Sequence, residues 1–102
     1  MKTSARFSMI FFLSLVGCVL TPPPVEDYTL ARAALDAAKA VDAARYSPGL
    51  YHKAELSYRK AQALYDDRDY QAAHDEFLNA KDTAEKAENS ARLIRFKNGD
   101  VL

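Results

Sequence analysis

The chain has 102 residues with 14 Lys plus Arg against 14 Asp plus Glu, a formal net charge of zero. That balance excludes a nucleic-acid binder of the usual kind, which carries a basic stripe, and the length suits one modest core. A single cysteine, Cys18, excludes an intramolecular disulfide.

In chain order the first element is a basic start (Lys2, Arg6) followed by an apolar run from Phe7 to Val16, interrupted only by Ser8 and Ser14. This is the layout of a secretory signal. A helix that spans about 30 Å of hydrocarbon needs about twenty apolar residues, roughly twice this run, so a permanent membrane span is not expected there. The run ends in Leu15-Val16-Gly17-Cys18, which resembles the bacterial lipobox. The resemblance implies that Leu15 fills the hydrophobic recognition position, Val16 the variable one and Gly17 the small residue before the cut. Residues 1–17 are then a cleaved signal peptide and Cys18 is the first mature residue. It also implies that the Cys18 sulfur takes a diacylglycerol as a thioether and that the freed amino group takes a further acyl chain such as palmitate. Two or more chains make membrane anchoring stable. No other cofactor is expected. Val19 stands where an Asp would retain such proteins in the inner membrane, so the expected address is the outer membrane, facing the periplasm.

Removal of residues 1–17 leaves 85 residues with 12 basic and 14 acidic side chains. Residues 18–27 then form the lipidated cysteine and a spacer, stiffened by Pro22-Pro23-Pro24, which fixes an extended backbone of about 3.1 Å per residue. Residues 28–98 form an Ala-rich helical domain and 99–102 a tail. The first helix is predicted over about 26–46, with Leu30, Ala34, Ala37, Val41 and Ala44 as its seam. Ser47-Pro48 reads as a break and restart, with Ser47 capping and Pro48 at the first helical position. The second helix, about 48–66, places Leu50, Ala54, Ser57, Ala61 and Leu64 on one face, with Tyr51, Tyr58 and Tyr65 beside them at sevens. Asp66-Asp67-Arg68-Asp69 reads as a second break, with Asp69 or Asp67 available to cap. The third helix, about 69–97, carries Tyr70, Ala73, Phe77, Ala80, Ala84, Ala87, Ala91 and Ile94, and Asn98-Gly99 stops it. The fold expected is all-α, an antiparallel helical hairpin or three-helix bundle whose small side chains let helices approach closely. Pairing of the seams between copies, as a coiled coil, is the alternative use of the same pattern.

Two family resemblances attach to these helices. Ala61, Leu64, Tyr65, Asp69-Tyr70, Ala73, Phe77 and Ala80 resemble one tetratricopeptide repeat, although Arg68 stands where that repeat usually has Gly and Glu85 where it often has Pro; stable arrays need about three repeats. More broadly, Tyr28 to Ala91 is similar to a domain-of-unknown-function family found in short bacterial lipoproteins and beside outer-membrane peptidoglycan-binding domains. Tyr46-Ser47-Pro48-Gly49-Leu50 and Asp69-Tyr70-Gln71-Ala72-Ala73 carry that likeness. It implies no enzymatic activity, and the neighbouring wall-binding domain is not in this sequence.

Chemistry-bearing constellations are sparse. His52 and His74 fall on different predicted helices, neither with a second His or Cys at ligand spacing, and both read as solvated. Asp66, Asp67 and Asp69 lack the Gly and distal Glu of a calcium loop and read as caps. The Ser and Thr residues lack activating partners. No catalytic residue and no metal ligand is therefore expected. The tyrosines carry two readings: an edge of the core with exposed hydroxyls, or a partner-binding face made of Tyr51, Tyr58, Tyr65 and Tyr70 with Phe77. The function expected is a non-enzymatic, lipid-anchored scaffold component of an envelope protein complex, with an envelope protein as partner. The alternatives are a pilotin-like chaperone for an outer-membrane pore subunit, using a groove around Leu64, Tyr70 and Phe77, or a self-associating coiled-coil spacer that forms a homo-oligomer.

Overall fold

The computed structural model describes residues 21–99. The signal segment with Leu15 and Gly17, the lipid-bearing Cys18 and the last three residues lie outside them. Four helices follow one another: α1 Val25–Ala40, the single turn α2 Ala43–Tyr46, α3 Pro48–Asp66 and α4 Tyr70–Lys97. Among the described residues there is no strand, and the fold is all-α.

The pairing of side chains fixes the topology. Lys60 with Glu76 and Ser57 with Asn79 join α3 to α4 in opposite directions. Asp27 with His74 near the start of α1, and Val41 with Arg95 just past its end, run α1 along α4 in the same direction. The result is an up-down-up three-helix bundle. α4 forms one wall against both other long helices, and its contact row is almost entirely alanine: Ala73, Ala80, Ala84, Ala87 and Ala91 are all fully buried, with Phe77 the one large side chain among them. These alanines meet Ala31, Ala34, Ala38 and Ala43 on one side and Ala54 and Ala61 on the other. Methyl groups at the contact favour interaxial distances toward the short end of the 8–10 Å range.

Of the expected seams, Ala54, Ser57 and Ala61 of α3 and Ala73, Phe77, Ala80, Ala84, Ala87 and Ala91 of α4 are buried, with Thr83 added, while Leu50, Leu64, Tyr70 and Ile94 at the ends of the rows are half-buried. The first seam holds at Ala34 and Val41, which are buried, and is corrected elsewhere. The buried row of α1 is Ala31, Ala34, Leu35 and Ala38, whereas Leu30 is 43% exposed and Ala44 faces solvent. In a helix this rich in alanine several stripes have similar hydrophobicity, and the one that wins is the one that also buries Tyr28 against Phe77.

The first helix is also interrupted where one continuous element is predicted. Val41 ends α1, Asp42 adopts a left-handed conformation with φ 64°, and α2 restarts at Ala43. The bend turns Ala43 and Tyr46 over the last turns of α4, where Val41, Ala43 and Ala91 pack together. The α3–α4 connection repeats the device. Arg68 lies at φ 62°, its N–H reaching the Tyr65 carbonyl (3.0 Å) and the Asp69 N–H reaching that of Leu64 (2.9 Å). That is a Schellman ending with arginine where glycine is usual. α4 ends with Gly99 at φ 75° and its N–H on the Phe96 carbonyl. Ser47 and Asp69 do occupy N-cap positions, but neither makes a side-chain capping bond, and Asp67 is a C-cap.

Candidate functional site

At the end where the spacer enters, aromatic rings fill the space that alanines leave. Phe77 is fully buried. The Tyr28 ring lies 4.5 Å from it, centroid to centroid, and meets Tyr58 and Tyr65 edge-on at 5.8 and 5.3 Å. Tyr65 in turn meets Tyr70 at 5.6 Å. Edge-to-face pairs of this kind add about 0.5–1.5 kcal/mol each beyond their buried area. The cluster is closed by polar contacts between distant segments: the Gln62 amide donates to the Tyr28 hydroxyl at 2.7 Å, and His74 shares a hydrogen bond with the Asp27 carboxylate at 2.5 Å.

The structure thus brings Tyr58, Tyr65, Tyr70 and Phe77 into one assembly, organised by Tyr28. Phe77 as a partner contact is corrected, because its side chain has no surface to offer. The ridge of Tyr51, Tyr58 and Tyr65 is a wedge: its three rings are half-buried and pack against Ala34, Leu35, Ala54, Ala61 and Ala84, filling the wider gap between α1 and α3. Outside Tyr51 and Tyr58 a shallow groove of about 250 Å³ remains, walled by Asp36 and Lys39 of α1 and Glu55 and Arg59 of α3. Burial, first, and then the Glu55 and Asp36 carboxylates raise the Tyr51 hydroxyl above its ordinary value of 10.0. Burial and then the Tyr28 hydroxyl do the same for Tyr58, with Arg32 opposing. Neither group is thereby activated, because a raised phenol holds its proton more firmly at neutral pH.

Tyr28 lies against Phe77 and packs with Leu64 on the same buried cluster, which closes Phe77 to a client segment, while Tyr70 lines an open cavity of about 560 Å³ with Pro22, Pro23 and Gln71. His52 is exposed, while His74 is only partly solvated and tied to Asp27. Among the described residues no group of three or more His, Cys, Asp and Glu side chains is placed to hold a metal ion, and no helix is long and apolar enough to cross a membrane.

The two ends of the bundle differ in charge. Where Thr21 to Pro24 run past Tyr70 and Gln71, the surface carries Glu26, Asp27, Asp66, Asp67 and Asp69 with Arg68 as the one cation in those two segments. Among the described residues the opposite end carries Arg45, Arg92, Arg95 and Lys97 with Asp42 and Glu88. There the guanidinium carbons of Arg45 and Arg95 lie 5.3 and 5.5 Å from the Tyr46 ring centroid, and Arg95 donates to the Val41 carbonyl at 3.1 Å. This end was missed in the sequence. Its cations come from segments about fifty residues apart, and only the up-down-up topology brings them together.

No curated protein and no solved structure matches the chain. The family described as domain of unknown function DUF4398 matches residues 26–97, a span that begins in the first turn of α1 and ends on the last residue of α4. The chain belongs to that family.

Proposed function

We propose that the chain is a lipid-anchored, non-enzymatic scaffold component of a bacterial envelope protein complex. Cys18 carries diacylglycerol and an N-acyl chain, and the helical domain stands in the periplasm on the outer membrane. The observation that carries this reading is the sequence Leu15-Val16-Gly17-Cys18 placed directly before the proline spacer, which at Pro24 becomes the N-cap of α1. An anchor, a stiff stand-off and a helical body then follow without a break. The bundle supports the scaffold part because its aromatic and methyl groups are engaged within one chain, leaving the outer helix faces for contact. A pilotin-like escort would have to displace Tyr28 from Phe77. A coiled-coil spacer would need seams that α1, α3 and α4 already share, and a tetratricopeptide-like array would need further repeats to stack on.

Metabolic labelling with palmitate tests the anchor. The native chain is expected to take up label and to fractionate with the outer membrane, and Cys18→Ser to lose both. Equal distribution of the two proteins, with no label on either, would overturn the anchor. The scaffold part is tested by crosslinking in intact cells: a complex is expected with the native chain and not with Cys18→Ser.

A further inference from the structure

With an anchor at Cys18, the path of the spacer decides which face of the bundle meets the lipid. Three prolines in a row favour an extended backbone with ψ near about 145°. Pro24 departs from it, with φ −79° and ψ 64°, and the Val25 N–H donates to the Pro23 carbonyl at 2.9 Å. Those angles and that bond make an inverse γ-turn, a sharp change of direction. The fixed φ of proline suits it. Just past the turn α1 is pinned, because Asp27 is bonded to His74 of α4 and Tyr28 to Gln62 of α3. The spacer therefore turns aside from the line of α1 and runs past α4.

Thr21, Pro22 and Pro23 share the walls of two open cavities with Tyr70 and Gln71, one of about 560 Å³ that extends to Arg68 and one of about 330 Å³ that extends to His74. The spacer is thus laid beside the first turn of α4 with a space on either side. Tyr70 is half-buried, and Tyr65 backs its ring at 5.6 Å. Only three residue steps separate Cys18 from Thr21, a reach of at most about 11 Å. A spacer extended from Cys18 to Pro24 would instead hold the bundle off by roughly 19 Å. A lipid on Cys18 therefore keeps Tyr70 and Gln71 close to the membrane surface, while Lys97 lies about 40 Å further along α4. The side chains suit that place. Tyrosine settles at the headgroup level of a bilayer, and the long stem of Arg68 can lie on an apolar surface with its charge in water. Charge does not do the holding, because Glu26, Asp27, Asp66, Asp67 and Asp69 at this end are repelled by anionic headgroups. The tether has to do it.

We propose that the proline spacer is a clamp: turned at Pro24 and laid beside α4, it holds the face made by Pro22, Pro23, Arg68, Tyr70 and Gln71 against the lipid surface in which Cys18 is anchored. The proposal rests on the lipid anchor of the reading above and adds the orientation of the bundle to it.

The chain has no tryptophan, so a single introduced one reports its own surroundings. Gln71→Trp and Lys97→Trp chains are purified from membranes and returned to vesicles of phosphatidylethanolamine and phosphatidylglycerol that carry a lipid with a nitroxide headgroup. Strong quenching is expected at position 71 and none above background at position 97. Replacing Pro22→Gly, Pro23→Gly and Pro24→Gly together in the Gln71→Trp chain is expected to cut the quenching by about half or more, since a glycine spacer samples many distances. The melting temperature of that variant checks that the bundle is intact; if it has dropped, Pro22→Gly with Pro23→Gly is used, with a smaller loss expected. Equal quenching at 71 and 97, or quenching at 71 that the glycines leave unchanged, would overturn the clamp while leaving the anchor in place. A native chain that floats with the vesicles no better than Cys18→Ser would overturn the anchor, and the clamp with it.

Discussion

The two halves of this bundle are packed by opposite means. Near the spacer, three tyrosine rings from α1 and α3 enclose the buried Phe77 of α4, with Tyr70 against Tyr65 outside them, and hydroxyl and amide groups tie the rim. Toward the far end, Ala38, Ala43, Ala87 and Ala91 bring backbones together with Val41 as the largest buried side chain. In the first half stabilisation resides in a few large groups, and losing one is the hazard. In the second it resides in proximity, and adding a group is the hazard.

Mutations can break that comparison. The largest effect is expected at Phe77→Ala, which removes the ring that Tyr28, Tyr58 and Tyr65 all touch; denaturant unfolding should show a loss of about 3–5 kcal/mol. For a domain this small, that is a large part of the total. A loss below about 1 kcal/mol would mean that the aromatic half is not its main support. Next comes Ala87→Leu, expected to destabilise by about 1–3 kcal/mol through overpacking. A gain in melting temperature there would show that the methyl-packed half has slack and that the contrast is wrong. Arg68→Gly goes the other way. Relief of the left-handed conformation is expected to outweigh the extra freedom of glycine in the unfolded chain and to stabilise by about 0.5–1 kcal/mol.

The smallest effect concerns alkaline pH. Tyr51 and Tyr58 have hydroxyls held above 10.0 in the folded state, so the folded chain binds protons more tightly than the unfolded one. Their contribution is fully present below pH 10 and is lost as pH rises past it. Chemical denaturation from pH 8 to 11 should show stability falling at the upper end, and Tyr51→Phe with Tyr58→Phe should flatten the fall. An unchanged slope in that double variant would detach the wedge from the carboxylates beside it.

Much of the architecture was legible because α3 and α4 carry strong local signals. Pro48 begins one helix, Gly99 follows the end of the other, and the four-three spacing from Ala54 to Leu64 and from Ala73 to Ala91 admits one buried face each. Nothing local marks the break at Val41-Asp42, since every residue from Tyr28 to Ala44 suits a helix. That break goes with contacts to Arg95 and Ala91, about fifty residues away. The register of α1 was hidden for a related reason: alanine is hydrophobic enough to be buried and small enough to be exposed, so its pattern alone does not choose a face. Asp27 with His74 and Gln62 with Tyr28 are likewise pairs that no short spacing announces.

The alanine row of α4 has a consequence for how such a chain can change over generations. At Ala80, Ala84, Ala87 or Ala91 a larger residue collides with a neighbouring helix, while glycine weakens the helix itself by about 1 kcal/mol. Each position therefore has one comfortable occupant and two kinds of failure. Selection on folding alone can then preserve a recognisable alanine spacing across a lineage, whatever each member does with its outer surface.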